Sequence, residues 1–244
     1  MSIGEHVTFA LYCVDAMTTT ITPRLDILPA PQRALWPELA QIPEVFTLWG
    51  GTAIALHLGH RTSIDFDFFT DADIDLAAVL ASIPLLTGAQ IPQREPHTVT
   101  AIVERGGPVK LSFFVVPGVL NPSQHRLQAP DNGVHIAALI DLAATKVKVV
   151  CDRAEKKDYL DIDAILRLSD IQLAEALATA RLVYGDQFAP LPSLKALTYF
   201  GDGNLPELPD DVRQRLVEAV RTVDPTRLPS LTRSDIAPPP KDRS

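Results

Sequence analysis

The chain has 244 residues, the length of one large domain or two small ones. With 46% hydrophobic and 21% charged residues it is too apolar to be disordered, and it lacks the uncharged run of about 18 apolar residues that a membrane-spanning helix requires. The formal charge of −8 predicts repulsion of nucleic acid, so any contact with phosphates needs a local basic patch.

The N-terminal residues 1–24 are expected to form an extension rather than a signal peptide. Glu5 and His6 stand where a signal peptide carries lysine or arginine. Cys13 and Cys151 are too few for a disulfide framework or a cysteine-based metal site. We therefore expect a cytoplasmic protein with two plain thiols and no membrane partner.

A small sheet with flanking helices is predicted in the first half of the chain. The run 63–69 alternates apolar and polar residues, which is the period of a strand with one buried face. Arg105-Gly106-Gly107 between two β-rich runs indicates a hairpin. In chain order we predict a helix at 32–42, a strand at 45–49, a helix at 52–58, a strand at 63–69, a helix from an Asp73 N-cap to about 82, and strands at 98–104 and 109–116.

Helical periodicity dominates the second half. It predicts helices at about 137–153, 157–168, 170–184, 192–200 and 209–223. The fold class expected is α+β, with a small mixed or antiparallel sheet and flanking helices followed by a helical C-terminal half. The domain bounds expected are a core at 25–130, a helical region at 131–224 and a disordered, proline-rich tail at 225–244.

The block LWGGTAIALHLGHRTSIDFDFF at 48–69 is the first candidate site. Side chains at i and i+2 of a strand share a face, so Asp65 and Asp67 place two carboxylates side by side. Such paired oxygen ligands suit Mg²⁺ that also binds substrate phosphates. The Gly50-Gly51 turn before a helix offers close backbone approach and free N–H groups to a phosphate. Either feature alone is also compatible with a solvated strand face or a simple turn, whereas their combination favours a metal–phosphate site.

The segment DLAATKVKVVCDRAEKKDYLDID at 141–163 is the second candidate site. Helical geometry places Lys146 and Arg153 on the apolar stripe, so both cations point at the rest of the protein. Such a cation requires an acid or a cleft, although Lys146 could instead extend to the surface or form a structural ion pair. Residues 146–157 carry five basic and two acidic side chains, which meets the need for a basic patch. Asp158 could equally be a favourable charge at a helix N-terminus.

Together these two segments resemble the AbiEii/AbiGii toxin family of the DNA polymerase β-like nucleotidyltransferase superfamily, over roughly residues 25–210. The resemblance implies an α+β nucleotidyltransferase fold. It also implies metal ligands (Asp65 and Asp67), catalytic residues (Asp65, Asp67, Lys146 and Asp158) and nucleotide-binding residues (Gly50, Gly51, Lys146, Arg153 and Lys157). Thr52, Arg61 and Ser63 are expected to bind nucleotide as well, because they stand beside the glycine turn and the acid pair in the first segment. Asp161 is a further candidate for the second motif.

The resemblance further implies Mg²⁺- or Mn²⁺-dependent transfer of a nucleoside monophosphate from an NTP to an acceptor hydroxyl. The expected acceptor is an RNA end such as tRNA, and the expected role is the toxin of a toxin–antitoxin or phage-defence pair with a cognate antitoxin protein. Superfamily enzymes usually offer a third carboxylate from a neighbouring strand, where this sequence has Ser112; Glu104 or no residue replaces it. Two alternatives therefore stay open: a nucleotide-binding module with impaired catalysis, and transfer to a protein or small molecule.

Overall fold

A computed structural model describes residues 19–117 and 126–231. Glu5, His6, Cys13 and most of the predicted N-terminal extension and tail lie outside the described residues. The domain bounds stay a prediction.

Seven strands form one mixed sheet. They are β1 (Thr47–Trp49), β2 (Asp65–Thr70), β3 (Gln90–Glu95), β4 (Thr98–Glu104), β5 (Pro108–Val115), β6 (Leu127–Gln128) and β7 (His135–Ile136), in the spatial order β3-β4-β5-β2-β1-β7-β6. The pairs β2–β5 and β1–β7 are parallel, and the other neighbours are antiparallel. The predicted small mixed sheet is confirmed.

Eight α-helices accompany the sheet in the described residues. They are α1 (Ala30–Leu35), α2 (Gly50–Leu58), α3 (Leu76–Ala81), α4 (Leu139–Val149), α5 (Lys156–Leu168), α6 (Leu173–Tyr184), α7 (Pro190–Ala196) and α8 (Asp210–Arg221). The α+β class with a helical C-terminal half is confirmed. None of the helices in the described ranges is long and apolar enough to cross a membrane.

Several predicted boundaries differ from the structure for identifiable reasons. The helix expected at 32–42 is α1 followed by a 3₁₀ turn over Trp36–Gln41, because Pro37 has no N–H to continue the α-helical ladder. Helix α3 is capped by Asp75, which accepts a hydrogen bond from the Ala78 N–H at 3.1 Å, and not by Asp73. Helix α2 already begins at Gly50, and α4 ends at Val149, before Arg153.

Strands β3, β6 and β7 are absent from the sequence prediction. Strand β3 lies at the edge of the sheet with mostly exposed side chains, so it lacks the apolar alternation that marks a half-buried strand. Strands β6 and β7 have two residues each, which is too short for a periodic pattern.

The two faces of strand β2 separate the core from the site. Phe66 and Phe68 are fully buried on one face, where Phe68 stacks on Phe113 at a centroid distance of 5.5 Å. Asp65 and Asp67 point to the other face. Helix α2, with residues 53–56 fully buried, packs on β1 and β2 and also contacts α4 and α5. The sheet and the helical half therefore meet around α2.

The Asp75 cap generates a prediction about stability. Replacing Asp75 with alanine removes the acceptor for the Ala78 N–H and should lower the free energy of unfolding by about 1 kcal/mol in urea titration. The matched change Asp73→Ala should alter it by less than about 0.5 kcal/mol. Equal effects of the two changes would contradict the assignment of the cap.

Candidate active site

A cavity of about 1200 Å³ lies between the sheet and the helical half. Seven charged side chains of the described chain line it: Arg61, Asp65, Asp67, Lys110, Lys146, Arg153 and Lys157. Five are cations and two are carboxylates, so the cavity is locally positive in a chain of net charge −8. Such a surface attracts a polyanion such as a triphosphate.

The two carboxylates stand next to one another on the sheet wall of the cavity. Asp65 and Asp67 are the outward residues of β2, as the strand alternation predicts. Burial, together with the negative charge of Asp65, raises the pKa of Asp67, although Lys110, Ser112 and Lys157 act in the opposite direction. A divalent cation between the two carboxylates would offset their mutual repulsion.

The glycine turn lies directly against this acid pair. Gly50 has a φ of +75°, and a Cβ on it would stand 3.0 Å from the Asp67 Oδ2 atom. A Cβ on Gly51 would overlap the Arg61 guanidinium. The first turn of α2 lines the cavity, and the side chain of the N-cap residue Trp49 makes no capping hydrogen bond to it. Its backbone N–H groups are therefore available to an anion.

Thr52 and Ser63 join the start of α2 to the start of β2. The two buried hydroxyl oxygens are 2.7 Å apart, and the Thr52 hydroxyl also donates to the Asp65 carbonyl oxygen. Ser63 consequently donates its own proton to Thr52. Both residues line the cavity, but in this arrangement the Ser63 hydroxyl holds β2 in place and has no proton left for a phosphate.

Lys146 lies at the centre of a buried charge cluster. Its Nζ atom is 2.6 Å from Asp158 Oδ1 and 2.8 Å from Asp161 Oδ2. The lysine side chain is 7% exposed and both carboxylates are 0% exposed. The inward orientation predicted for Lys146 is thus observed, and the residue both forms an ion pair and lines the cavity.

Asp161 binds Arg61 as well as Lys146. Arg61 donates to both oxygens of Asp161, at 2.7 Å and 3.0 Å, and His60 Nε2 lies 2.8 Å from Oδ1. Burial favours the protonated acid, but hydrogen bonds from His60 and Arg61 and the charge of Lys146 outweigh it and hold the pKa of Asp161 far below its ordinary value. Asp161 therefore stays ionised and fixes both cations.

Arg153 follows the end of α4 instead of lying within it. Its Nε and Nη2 atoms donate to the two oxygens of Asp158, at 2.8 Å and 3.1 Å. Burial opposes ionisation of Asp158, yet Arg153 and Lys146 together lower its pKa. Asp158 is not among the residues that line the cavity, and it holds both Lys146 and Arg153. Its catalytic role stays a prediction. Lys157 is half exposed at the cavity and pairs with Glu155 at 2.9 Å.

The strand beside the acid pair carries no third acid. Ser112 of β5 stands opposite Asp67, and Lys110 stands opposite Asp65, with its Nζ atom 3.3 Å from Asp65 Oδ2. Glu104 pairs with Pro108 and is not among the residues that line the cavity. Within residues 19–117 and 126–231, no group of three or more His, Cys, Asp or Glu could hold a metal ion.

Comparison with known families identifies the chain. The model of the nucleotidyl transferase AbiEii toxin family of type IV toxin–antitoxin systems matches residues 33–235. The chain belongs to this family.

Two further proteins are similar to this AbiEii-family enzyme, one in sequence and one in fold. An uncharacterised protein of Aquifex aeolicus is 30% identical over 162 residues, which cover 64% of this chain and 74% of the relative. The structure of MenT4, a nucleotidyltransferase toxin of Mycobacterium tuberculosis H37Rv, is similar with a TM-score of 0.50 at 18% identity, and the match covers 82% of this chain and 84% of that chain.

An aromatic wall of the AbiEii-family cavity is absent from the sequence prediction. Phe69 stacks on Phe114 at a centroid distance of 4.5 Å, and Trp49 meets Phe69 edge-on at 6.4 Å. All three line the cavity beside the acids, with Tyr184 also in the lining. Phe69 and Phe114 continue the i, i+2 series of Asp67 and Ser112, so strand alternation is the signal that could have found them. The wall offers an apolar surface for a nucleobase.

The buried cluster generates a prediction about stability and pH. Asp161→Asn leaves Lys146 and Arg61 without their common partner and should lower the free energy of unfolding by about 3–5 kcal/mol at pH 7. Because the pKa of Asp161 is depressed in the folded state, this difference is complete above the unfolded value of about 3.9 and shrinks as the pH falls below it. Urea titrations between pH 3 and 7 measure it.

The exposed change Asp170→Asn serves as the control and should shift stability by less than about 0.5 kcal/mol. A loss in Asp161→Asn no larger than that of the control would show that the cluster does not hold the helices together.

Proposed function

We propose that this AbiEii-family toxin transfers a nucleoside monophosphate from an NTP to an RNA end, such as that of tRNA, in a reaction that depends on Mg²⁺ or Mn²⁺. The observation that carries the proposal is the pair Asp65 and Asp67, set against the Gly50 turn in a cavity with five cations. Oxygen ligands, free backbone N–H groups and positive charge together match a metal-bound triphosphate.

The acid pair fits a divalent cation. The raised pKa of Asp67 reflects burial and the nearby charge of Asp65, so the two carboxylates repel one another in the metal-free protein. Asp65 and Asp67 would hold the ion. When bound, Mg²⁺ supplies neutralisation of the charge on the phosphate oxygens.

The chain's own cations and backbone position the substrate. Arg61, Lys146 and Arg153 are fixed by Asp158 and Asp161, so their charges need little rearrangement when the phosphates bind. The acceptor hydroxyl oxygen forms a bond to the α-phosphorus, the bond to the β-phosphate oxygen breaks, and pyrophosphate leaves with its electron pair. The hydroxyl proton passes to water. Orientation and electrostatics supply most of the rate.

The proposed RNA acceptor requires a local positive surface, and the family supports the proposed protein partner. A chain of net charge −8 binds RNA only through a local positive surface, and the mouth of the cavity supplies one in Lys157 and Arg153, which are about half exposed. The AbiEii family consists of toxins of type IV toxin–antitoxin systems. A cognate antitoxin protein is accordingly the proposed partner.

Asp67→Asn tests the proposed chemistry. It should reduce transfer of label from α-³²P-NTP to total tRNA by at least about 1000-fold, because the metal loses an anionic ligand. The same change should raise the stability of the metal-free protein by removing a buried charge. This gain appears as the pH rises from the unfolded pKa through the raised pKa of Asp67, and it is absent below both values.

The exposed neighbour Asp71, which does not line the cavity, provides the matched change Asp71→Asn, which should retain full activity. Normal transfer by Asp67→Asn would contradict the mechanism. Label on a protein or small molecule instead of RNA would support nucleotidyl transfer but contradict the proposed RNA acceptor. Binding of NTP without any labelled product would indicate a binding module.

A further inference from the structure

Lys110 lies on the strand next to the acid pair and contacts one of its two carboxylates. Strand β5 runs parallel to β2, and its residues Lys110 and Ser112 stand opposite Asp65 and Asp67 on the cavity side. The Lys110 Nζ atom lies 3.3 Å from Asp65 Oδ2. Ser112 is buried and stands directly opposite Asp67. The two positions next to the acids are therefore taken by an ammonium group and a neutral hydroxyl.

The other four cations that line the cavity come from outside the sheet. Arg61 follows α2, Lys146 belongs to α4, Arg153 follows α4, and Lys157 belongs to α5. Arg61, Lys146 and Arg153 are bound to the buried acids of the charge cluster. Among the described residues, Lys110 is thus the one cation that lines the cavity from the sheet and contacts the acid pair.

Two carboxylates can hold one divalent ion, but a second ion beside the first needs additional anionic oxygen ligands. The described part of the chain offers no third acid next to Asp65 and Asp67. A second divalent ion would also be repelled by the ammonium group already in contact with Asp65. The two carboxylates therefore suit one divalent ion, with the Lys110 ammonium group as the second positive charge beside them.

We propose that Lys110 takes the place of a second metal ion, so that the active site binds one divalent cation and Lys110 Nζ contacts the transferring phosphate. This inference rests on the proposed nucleotidyl transfer. The lysine side chain is 44% exposed, so it can move from Asp65 to a phosphate oxygen when nucleotide binds. An exposed ion pair contributes little to stability, and Lys110 accordingly acts on the substrate rather than on the fold.

Counting bound Mn²⁺ by electron paramagnetic resonance tests the proposal without turnover. The full-length protein saturated with an α,β-methylene NTP should bind one Mn²⁺. Lys110→Asp replaces the ammonium with a third carboxylate and should bind two. Lys156→Gln, which alters a lysine paired with Glu207 outside the cavity, is the control and should bind one.

Kinetics of uncharged and charged substitutions provide the second measurement. Lys110→Gln should lower kcat by about 100-fold with a smaller change in the KM for NTP, because the lost charge acts mainly on the transition state. Lys110→Arg retains the charge and should recover a large part of that loss. A residue with a merely structural role would show no such difference between glutamine and arginine.

Two Mn²⁺ ions in the wild-type complex would overturn the role of Lys110 while leaving nucleotidyl transfer intact. Unchanged kcat in Lys110→Gln would overturn it as well, whether or not Lys110→Asp folds. Failure of the wild-type protein to bind the NTP analogue would instead contradict the proposed function itself, and this inference with it.

Discussion

The buried carboxylate of Asp161 is the interaction on which the site depends. Asp161 lies on α5 and forms an ion pair with Lys146 of α4. It also contacts Arg61 and the neighbouring His60, both in the loop after α2. Three separate parts of the chain are therefore tied to one point. Because a buried cation without its acid is costly, these elements cannot separate without a large loss of stability. The cluster fixes the helical half against the sheet and leaves the cavity between them.

The same cluster separates the charges of the cavity between its two walls. Acids stand on the sheet wall, whereas most of the cations stand on the helical wall, already held by hydrogen bonds. Burial and the negative charge of Asp65 raise the pKa of Asp67, despite the opposing effect of Lys110. Such an arrangement of fixed charges suits the metal-bound nucleotide of the proposed reaction. The chain belongs to the nucleotidyl transferase AbiEii toxin family, and the proposed metal-dependent transfer is consistent with that membership.

Strand periodicity predicted the acid pair on the sheet wall, and helix periodicity predicted the inward orientation of Lys146. Asp65 and Asp67 share a face because side chains alternate in any strand, and Lys146 points inward because the apolar stripe of α4 includes its position. The partners could not be predicted in this way. Asp161 meets Arg61 across about 100 residues of sequence, and Lys110 meets Asp65 through a β2–β5 register that only the folded sheet defines. The polar edge strand β3 was missed because exposure removes its periodic signal.

The most direct test of the account is a crystal structure of the protein with Mn²⁺ and a non-hydrolysable NTP, in which anomalous scattering locates the metal. The account predicts a manganese peak in contact with Asp65 and Asp67, with the triphosphate between the Gly50-Gly51 turn and the cations held by Asp158 and Asp161. Manganese away from the acid pair, or a nucleotide bound outside this cavity, would contradict it.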